Sequence, residues 1–203
     1  FKNMNNKHYL FTNSESIEGA AHLRKALYMS GWDWGPKLPD IGIFRPVVID
    51  AYDVDKIENI NVVQHHKDGI VLLDIEVETR HSKPCDVYVK IDGKEKKLKN
   101  FKENVVIDNP KLWWVRGYGE QHLYDISATL YENDTEIDTK TQKIGLRTLT
   151  VSNQKDETGS EFCFVINGVK IFSMGANYIP QDNLLSRINP KRTEELLKTA
   201  VDA

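Results

Sequence analysis

From Lys56 to about Ser152 the chain alternates apolar and polar residues with the period of two that half-buried strands require. Ile57, Ile60, Val62 and Val63 open a first run of β-formers. In the run from Ile70 to Thr79, Leu73, Ile75, Val77 and Thr79 share one face. Cys85, Val87, Val89 and Ile91 repeat the pattern and stop at Asp92-Gly93, a strong hairpin-turn signal. The segment Lys94 to Lys99 is so charged that it reads as an exposed edge strand, guarded against pairing with other chains. Further strands are predicted around Val105–Ile107, Leu123–Leu130, Ile137–Ile144 and Leu146–Val151. About seven short strands at this spacing predict an antiparallel β-sandwich of immunoglobulin-like type, so the fold class is mainly β.

The flanks have a different texture. Ser16 to Met29 fits a short helix, and Ile43 to Ile49 reads as a strand. Between them, Gly31-Trp32-Asp33-Trp34-Gly35-Pro36 reads as a segment in which no regular element persists. Beyond a polar stretch, Phe162 to Ile166 and Val169 to Phe172 form a hairpin about Asn167-Gly168. Gly175-Ala176-Asn177-Tyr178-Ile179-Pro180 then leads to a helix, capped by Asn189 with Pro190 at its first position. Leu196, Leu197, Ala200 and Val201 give that helix an apolar stripe that needs a surface to pack on. Strand, loop and helix in this order open an α/β domain of barrel type. Three pieces are thus expected: residues 1–52 close one domain, 53–152 form the sandwich, and 153–203 begin a third. Phe1 in place of a start methionine, and a stripe that ends near Ala203, read as an excerpt of a longer chain.

Composition narrows the function classes. Among 203 residues, 27 Lys and Arg face 30 Asp and Glu, so charge supplies no reason to expect nucleic acid or an anionic membrane as partner. No apolar run is long enough to span a bilayer, and the start is too polar for a secretory leader. Cys85 and Cys163 make neither a disulfide framework nor a zinc site, and together with many Lys, Asn and Ile they suggest a bacterial cytoplasmic protein. No metal or other cofactor is expected. His65 and His66 point to opposite faces of a strand, and His8, His22, His81 and His122 lack ligand spacing. Neither a nucleophile elbow nor a phosphate loop occurs, and no carboxylate pair stands out as acid and nucleophile. Asn133-Asp134-Thr135 matches a glycosylation acceptor, a signal of little weight alone.

Candidate chemistry gathers at Gly31 to Pro36. An indole face packs on the C–H patches of a sugar ring, while a carboxylate accepts hydrogen bonds from its hydroxyls. Trp32 and Asp33 are the candidate sugar contacts; the competing reading is that the tryptophans fill a domain interface and Asp33 caps a turn. Asn177 follows a predicted strand at the end where α/β domains place ligand contacts, and either binds substrate or holds a turn before Pro180. In Asn109 to Glu120, Trp113 and Trp114 are expected to seal the sandwich, with Arg116 and Glu120 as a surface pair.

Several of these motifs carry a family resemblance. Arg24-Lys25-Ala26, Tyr28, Gly31 to Pro36 and Gly42-Ile43-Phe44-Arg45-Pro46-Val47 resemble β-mannosidases of glycoside hydrolase family 2. Leu112-Trp113-Trp114 with Gly117-Tyr118-Gly119-Glu120-Gln121, Gly145-Leu146-Arg147-Thr148, Phe164 to Phe172 and Gly175 to Pro180 continue it in order. Val115 departs from the family's usual proline. The resemblance implies the end of a jelly-roll domain, a complete sandwich and the start of a (β/α)8 barrel. It implies a retaining exo-hydrolase acting on terminal β-linked mannose of β-mannosides or manno-oligosaccharides, with the rest of the barrel as partner. Its two catalytic glutamates would lie beyond Ala203, leaving this segment inactive alone. Trp32 and Asp33 would contact the terminal mannose, Trp34 would pack behind them, and Asn177 would be a weaker contact. An exo-β-glucosaminidase, an endo-acting mannosidase and a non-catalytic sugar-binding module are the alternatives.

Overall fold

A computed structural model describes Ile17, Ala20 and residues 24–203. His8, His22 and, of the helix expected over Ser16–Met29, also Ser16, Glu18, Gly19, Ala21 and Leu23 lie outside the described residues; in the rest of that segment Arg24 to Ala26 are not helical and Leu27–Met29 is a single 3-10 turn, which corrects the expectation there. The chain divides into two compact units, Phe1–Ile49 with Gly175–Ala203, and Asp50–Met174.

In the first unit, β1 (Ser30–Trp32) and β2 (Gly35–Lys37) form an antiparallel hairpin in which Trp32 pairs with Gly35. This corrects the expectation of irregular backbone over Gly31 to Pro36. Asp33 and Trp34 make the turn without positive φ; the left-handed position is Gly31, at φ 96°. Met29, Ser30 and Gly31 are buried, and the Ser30 carbonyl accepts the Ile17 N–H at 3.0 Å. Ile43 to Ile49 is not a strand: these residues pair with nothing among the described residues, and Ile49 is 94% exposed. Its β-branched composition favours extended backbone, but a strand exists only as half of a ladder. For the same reason Gly175 to Pro180 is irregular.

The unit ends in helix α1 (Pro190–Asp202). Asn189 Oδ1 accepts the Arg192 N–H at 3.0 Å, and Pro190 occupies the first turn, where its missing N–H breaks no bond. Leu196, Leu197 and Val201 remain exposed along α1.

The second unit contains the sandwich. One sheet has the order β3 (Ile57–Lys67), β4 (Ile70–Thr79), β7 (Lys102–Asp108). The other has the order β6 (Lys94–Lys97), β5 (Asp86–Ile91), β8 (Tyr124–Glu132), β9 (Thr135–Ile144). All pairings are antiparallel. Alternate residues point inward: Val71, Leu73, Ile75 and Val77 from β4 bury against Val87, Val89 and Ile91 from β5, with Ile126, Ala128 and Leu130 from β8. Removing each such side chain from water contributes roughly 1.5–3 kcal/mol before chain entropy is counted, so this alternation selects the fold. Asp92 and Gly93 both take positive φ, the primed turn whose twist matches a hairpin.

Side chains close the two open sides of the sandwich. On one side, Lys94 Nζ donates to the Val106 carbonyl at 2.6 Å and Lys96 Nζ to that of Asn104 at 2.7 Å, bridging edge strands β6 and β7. On the other, Lys140 Nζ and Gln142 Nε2 of β9 donate to the Glu58 and Ile60 carbonyls of β3 at 2.5 and 2.9 Å. The charged edge strand read from the sequence is thus present, and its lysines also satisfy carbonyls of the facing sheet.

A small third sheet joins β10 (Leu149–Ser152), β11 (Cys163–Ile166) and β12 (Val169–Ile171). The segment after Leu146, read as a sandwich strand, instead pairs with β11. Asn167 fixes this sheet to the sandwich: its Oδ1 accepts the Thr148 N–H and its Nδ2 donates to the Trp113 carbonyl, both at 3.0 Å.

Candidate functional site

The two-residue turn places Trp32, Asp33 and Trp34 together at a hairpin tip. Their side chains are solvent-accessible, with Trp32 40% and Trp34 46% exposed. The indole centroids lie 5.5 Å apart at an interplanar angle of 33°. Trp34, expected behind Trp32, therefore shares the exposed tip with it. The arrangement offers apolar ring surface beside a carboxylate that can accept hydrogen bonds from hydroxyls, a combination suited to a saccharide.

The base of the hairpin is held from a distant part of the sequence. Asn183 Nδ2 donates to the Pro36 carbonyl at 2.7 Å, across 147 residues of chain. Asn183 Oδ1 also comes within 3.4 Å of the place where a Cβ on Gly35 would sit. Asn183 is itself held by its neighbour: Asp182 accepts the Leu184 N–H at 2.9 Å and pairs with Arg187 Nε at 3.0 Å and Arg192 at 3.6 Å. Gln181 Nε2 donates to Thr193 Oγ1 at 3.1 Å, tying the same loop to the first turn of α1.

Tyr28, four residues before Trp32, has a hydroxyl buried without a hydrogen-bond partner among the described residues. Burial pushes its phenol pKa up, and the charges of Asp40 and Asp182, with Tyr178, push the same way. The phenol is therefore a neutral group at physiological pH.

Asn177 is exposed in the irregular segment and forms no hydrogen bond among the described residues. The structure places Trp32 and Asp33 side by side in the hairpin and gives Asn177 no hydrogen bond to either. Asn183 is the residue that sequence reasoning misses. Its only signal is an amide side chain six positions before a predicted cap, which is no signal at all.

The remaining candidates have structural surroundings. Trp113 pairs with Gln121, its N–H donates to the Leu146 carbonyl at 2.9 Å, and the Arg147 guanidinium stands 4.7 Å from its ring centre. His65 binds Asp74 at 2.7 Å and His66 contacts Gln64 at 3.1 Å. Glu120 approaches His122 at 3.9 Å rather than pairing with Arg116. Among the described residues, no group of three His, Cys, Asp or Glu is placed to hold a metal ion, and no helix is long and apolar enough to cross a membrane.

Comparison with known proteins gives this geometry a family. The model described as glycosyl hydrolases family 2 matches residues 56–147, and the one described as glycosyl hydrolase 2 galactose-binding domain-like matches residues 2–45. The chain belongs to the family 2 glycosyl hydrolases. Beta-mannosidase B of Aspergillus niger is 36% identical over 192 residues, 88% of this chain and 23% of its own. The Aspergillus oryzae protein of the same name is 37% identical over 194 residues, with the same coverages of 88% and 23%. The crystal structure of the beta-D-mannosidase from Dictyoglomus thermophilum superposes with a TM-score of 0.86 at 30% identity, covering 98% of this chain and 27% of that one. The chain thus spans 23% of the length of these curated relatives.

Proposed function

We propose that this chain belongs to a retaining, exo-acting β-mannosidase and supplies one lip of the pocket for the terminal, non-reducing mannose. The observation that carries the reading is the exposed tip on which Trp32 and Asp33 stand side by side. In this role the Trp32 ring packs on the C–H face of the sugar, and the Asp33 carboxylate accepts hydrogen bonds from its hydroxyls. The relatives named beta-mannosidase support mannose as that sugar. Asn177 is a further, weaker contact at the same pocket.

On this reading residues 1–52 close a jelly-roll domain, 53–152 form the sandwich, and 153–203 open a (β/α)8 barrel. A retaining glycosidase needs two carboxyl groups about 5–5.5 Å apart, one as nucleophile and one as acid/base. We assign them to glutamates of the remaining barrel, outside Phe1–Ala203, and assign none here. This segment alone is then inactive.

The test is to assay the full-length gene product on p-nitrophenyl β-D-mannoside, β-D-glucosaminide, β-D-galactoside and β-D-glucuronide. Preference for the mannoside, with the anomeric configuration retained in the product, is the expected result. Preference for another glycoside, or inversion, overturns the assignment.

A further inference from the structure

We propose that Asn183 is a positioning residue for sugar binding, acting through the Pro36 carbonyl to set the angle at which the hairpin presents Trp32 and Asp33. This rests on the proposed role of the hairpin as a sugar contact and adds the group that holds it in place.

Three observations support it. First, the bond itself is short, 2.7 Å, and joins the strand that follows the turn to a loop far along the chain. A hairpin of two three-residue strands has a short ladder of its own, and isolated hairpins are marginal in water. The Asn183 bond at its second strand acts with the Ile17 N–H on the Ser30 carbonyl and the Leu38 N–H on the Met29 carbonyl, and it is the side-chain bond nearest the turn. Second, the loop carrying Asn183 is braced by the two residues before it, Gln181 on Thr193 and Asp182 on Leu184, Arg187 and Arg192. These bonds tie the loop to the first turn of α1. Third, a Cβ added to Gly35 would lie 3.4 Å from Asn183 Oδ1, so the amide sits close against the hairpin backbone. Pro36, with no N–H, offers this contact only its carbonyl, and Asn183 uses its amide donor on it.

The function of that donor separates two variants. Asn183→Ala removes the donor and leaves a gap. Asn183→Asp keeps the size but sets a carboxylate oxygen against the Pro36 carbonyl, acceptor against acceptor. If Asn183 merely fills space, the aspartate variant behaves like the parent. If it positions the hairpin as a donor, that variant is at least as impaired as the alanine one.

Hydrogen exchange of the amides of Ser30–Lys37 and steady-state kinetics on p-nitrophenyl β-D-mannoside, both in the full-length gene product, read the two effects separately. Exchange in α1, which belongs to the same unit as the hairpin, gauges whether that unit is folded in each variant. The expected result is exchange about fivefold faster at the hairpin in both variants, with KM raised by about fivefold or more and kcat changed by less than about twofold. Unchanged exchange at Ser30–Lys37, or an aspartate variant indistinguishable from the parent, overturns the positioning role. Faster exchange with KM unchanged shows a hairpin that moves without consequence for the sugar, which overturns the reading of Trp32 and Asp33 as contacts and this role with it.

Discussion

Lys96 of one sheet donates its ammonium proton to the Asn104 carbonyl of the other at 2.7 Å, and Lys94 does the same to Val106 at 2.6 Å. Strand β7 pairs with β4 on one side only, so these carbonyls would otherwise form an open edge ready to receive a foreign strand. Charge on β6 and capping of β7 are thus performed by the same two side chains. Replacing both lysines by methionine keeps their apolar stems but removes donors and charge. The double variant is expected to self-associate, seen as a concentration-dependent rise in light scattering that the parent lacks. A monodisperse double variant would show that the edges are protected by something else.

Asp55 is buried, and its carboxylate accepts N–H bonds from Lys56 at 2.8 Å and from His81 and Lys83 at 3.0 Å each. Burial works to raise its pKa, but the N–H groups of Lys83, His81 and Lys56, with Thr79, outweigh it and hold the value below the ordinary one. A carboxyl depressed on folding contributes stability that is fully present above its unfolded pKa and is lost as pH falls through the folded one. Denaturation midpoints should therefore decline from about pH 4 downward, and less steeply in Asp55→Asn. At neutral pH, Asp55→Ala should lower stability by about 1–3 kcal/mol, because it leaves three part-buried N–H groups without their acceptor. Parallel pH slopes for parent and Asp55→Asn would count against this.

Gly145 has no room for a side chain: a Cβ there would lie 2.9 Å from both Cβ and Cγ of Trp113. Trp113 is fixed by the Leu146 and Asn167 hydrogen bonds and cannot retreat without breaking them. Gly145→Ala is expected to destabilise the protein by about 1–3 kcal/mol, measured by urea denaturation. Gly42→Ala, where a Cβ meets nothing within 4 Å, is the matched control and should change little.

The sandwich is legible in the sequence because burial on one face imposes alternation, and Leu73, Ile75 and Val77 show it without interruption. The strand read at Ile43 to Ile49 has equal β-propensity but no partner among the described residues, and propensity does not record partners. The backbone at Trp32 and Asp33 is illegible in the sequence: the glycines and Pro36 argue for a loop, whereas Gly31, Gly35 and Pro36 lie within the two strands of a hairpin. The Asn183 contact is invisible because nothing local distinguishes an amide that bonds 147 residues away.

The half-exposed tip of Trp32 and Trp34 bears on whether this segment binds sugar unaided. One lip of a pocket leaves most of a monosaccharide in water, and small-molecule sites typically bury about 70–90% of their ligand. Calorimetric titration of the 203-residue chain with mannose is expected to show no binding tighter than about millimolar. Micromolar affinity would favour a free-standing sugar-binding module.

The most direct test is the kinetic constant of Asp33→Ala in the full-length gene product, with p-nitrophenyl β-D-mannoside as substrate. Loss of the hydrogen bond that a sugar hydroxyl donates to a charged acceptor predicts a fall in kcat/KM of about 10- to 100-fold, with the fold intact by circular dichroism. A folded variant whose kcat/KM stays within about twofold of the parent would contradict the assignment of this hairpin to the mannose pocket.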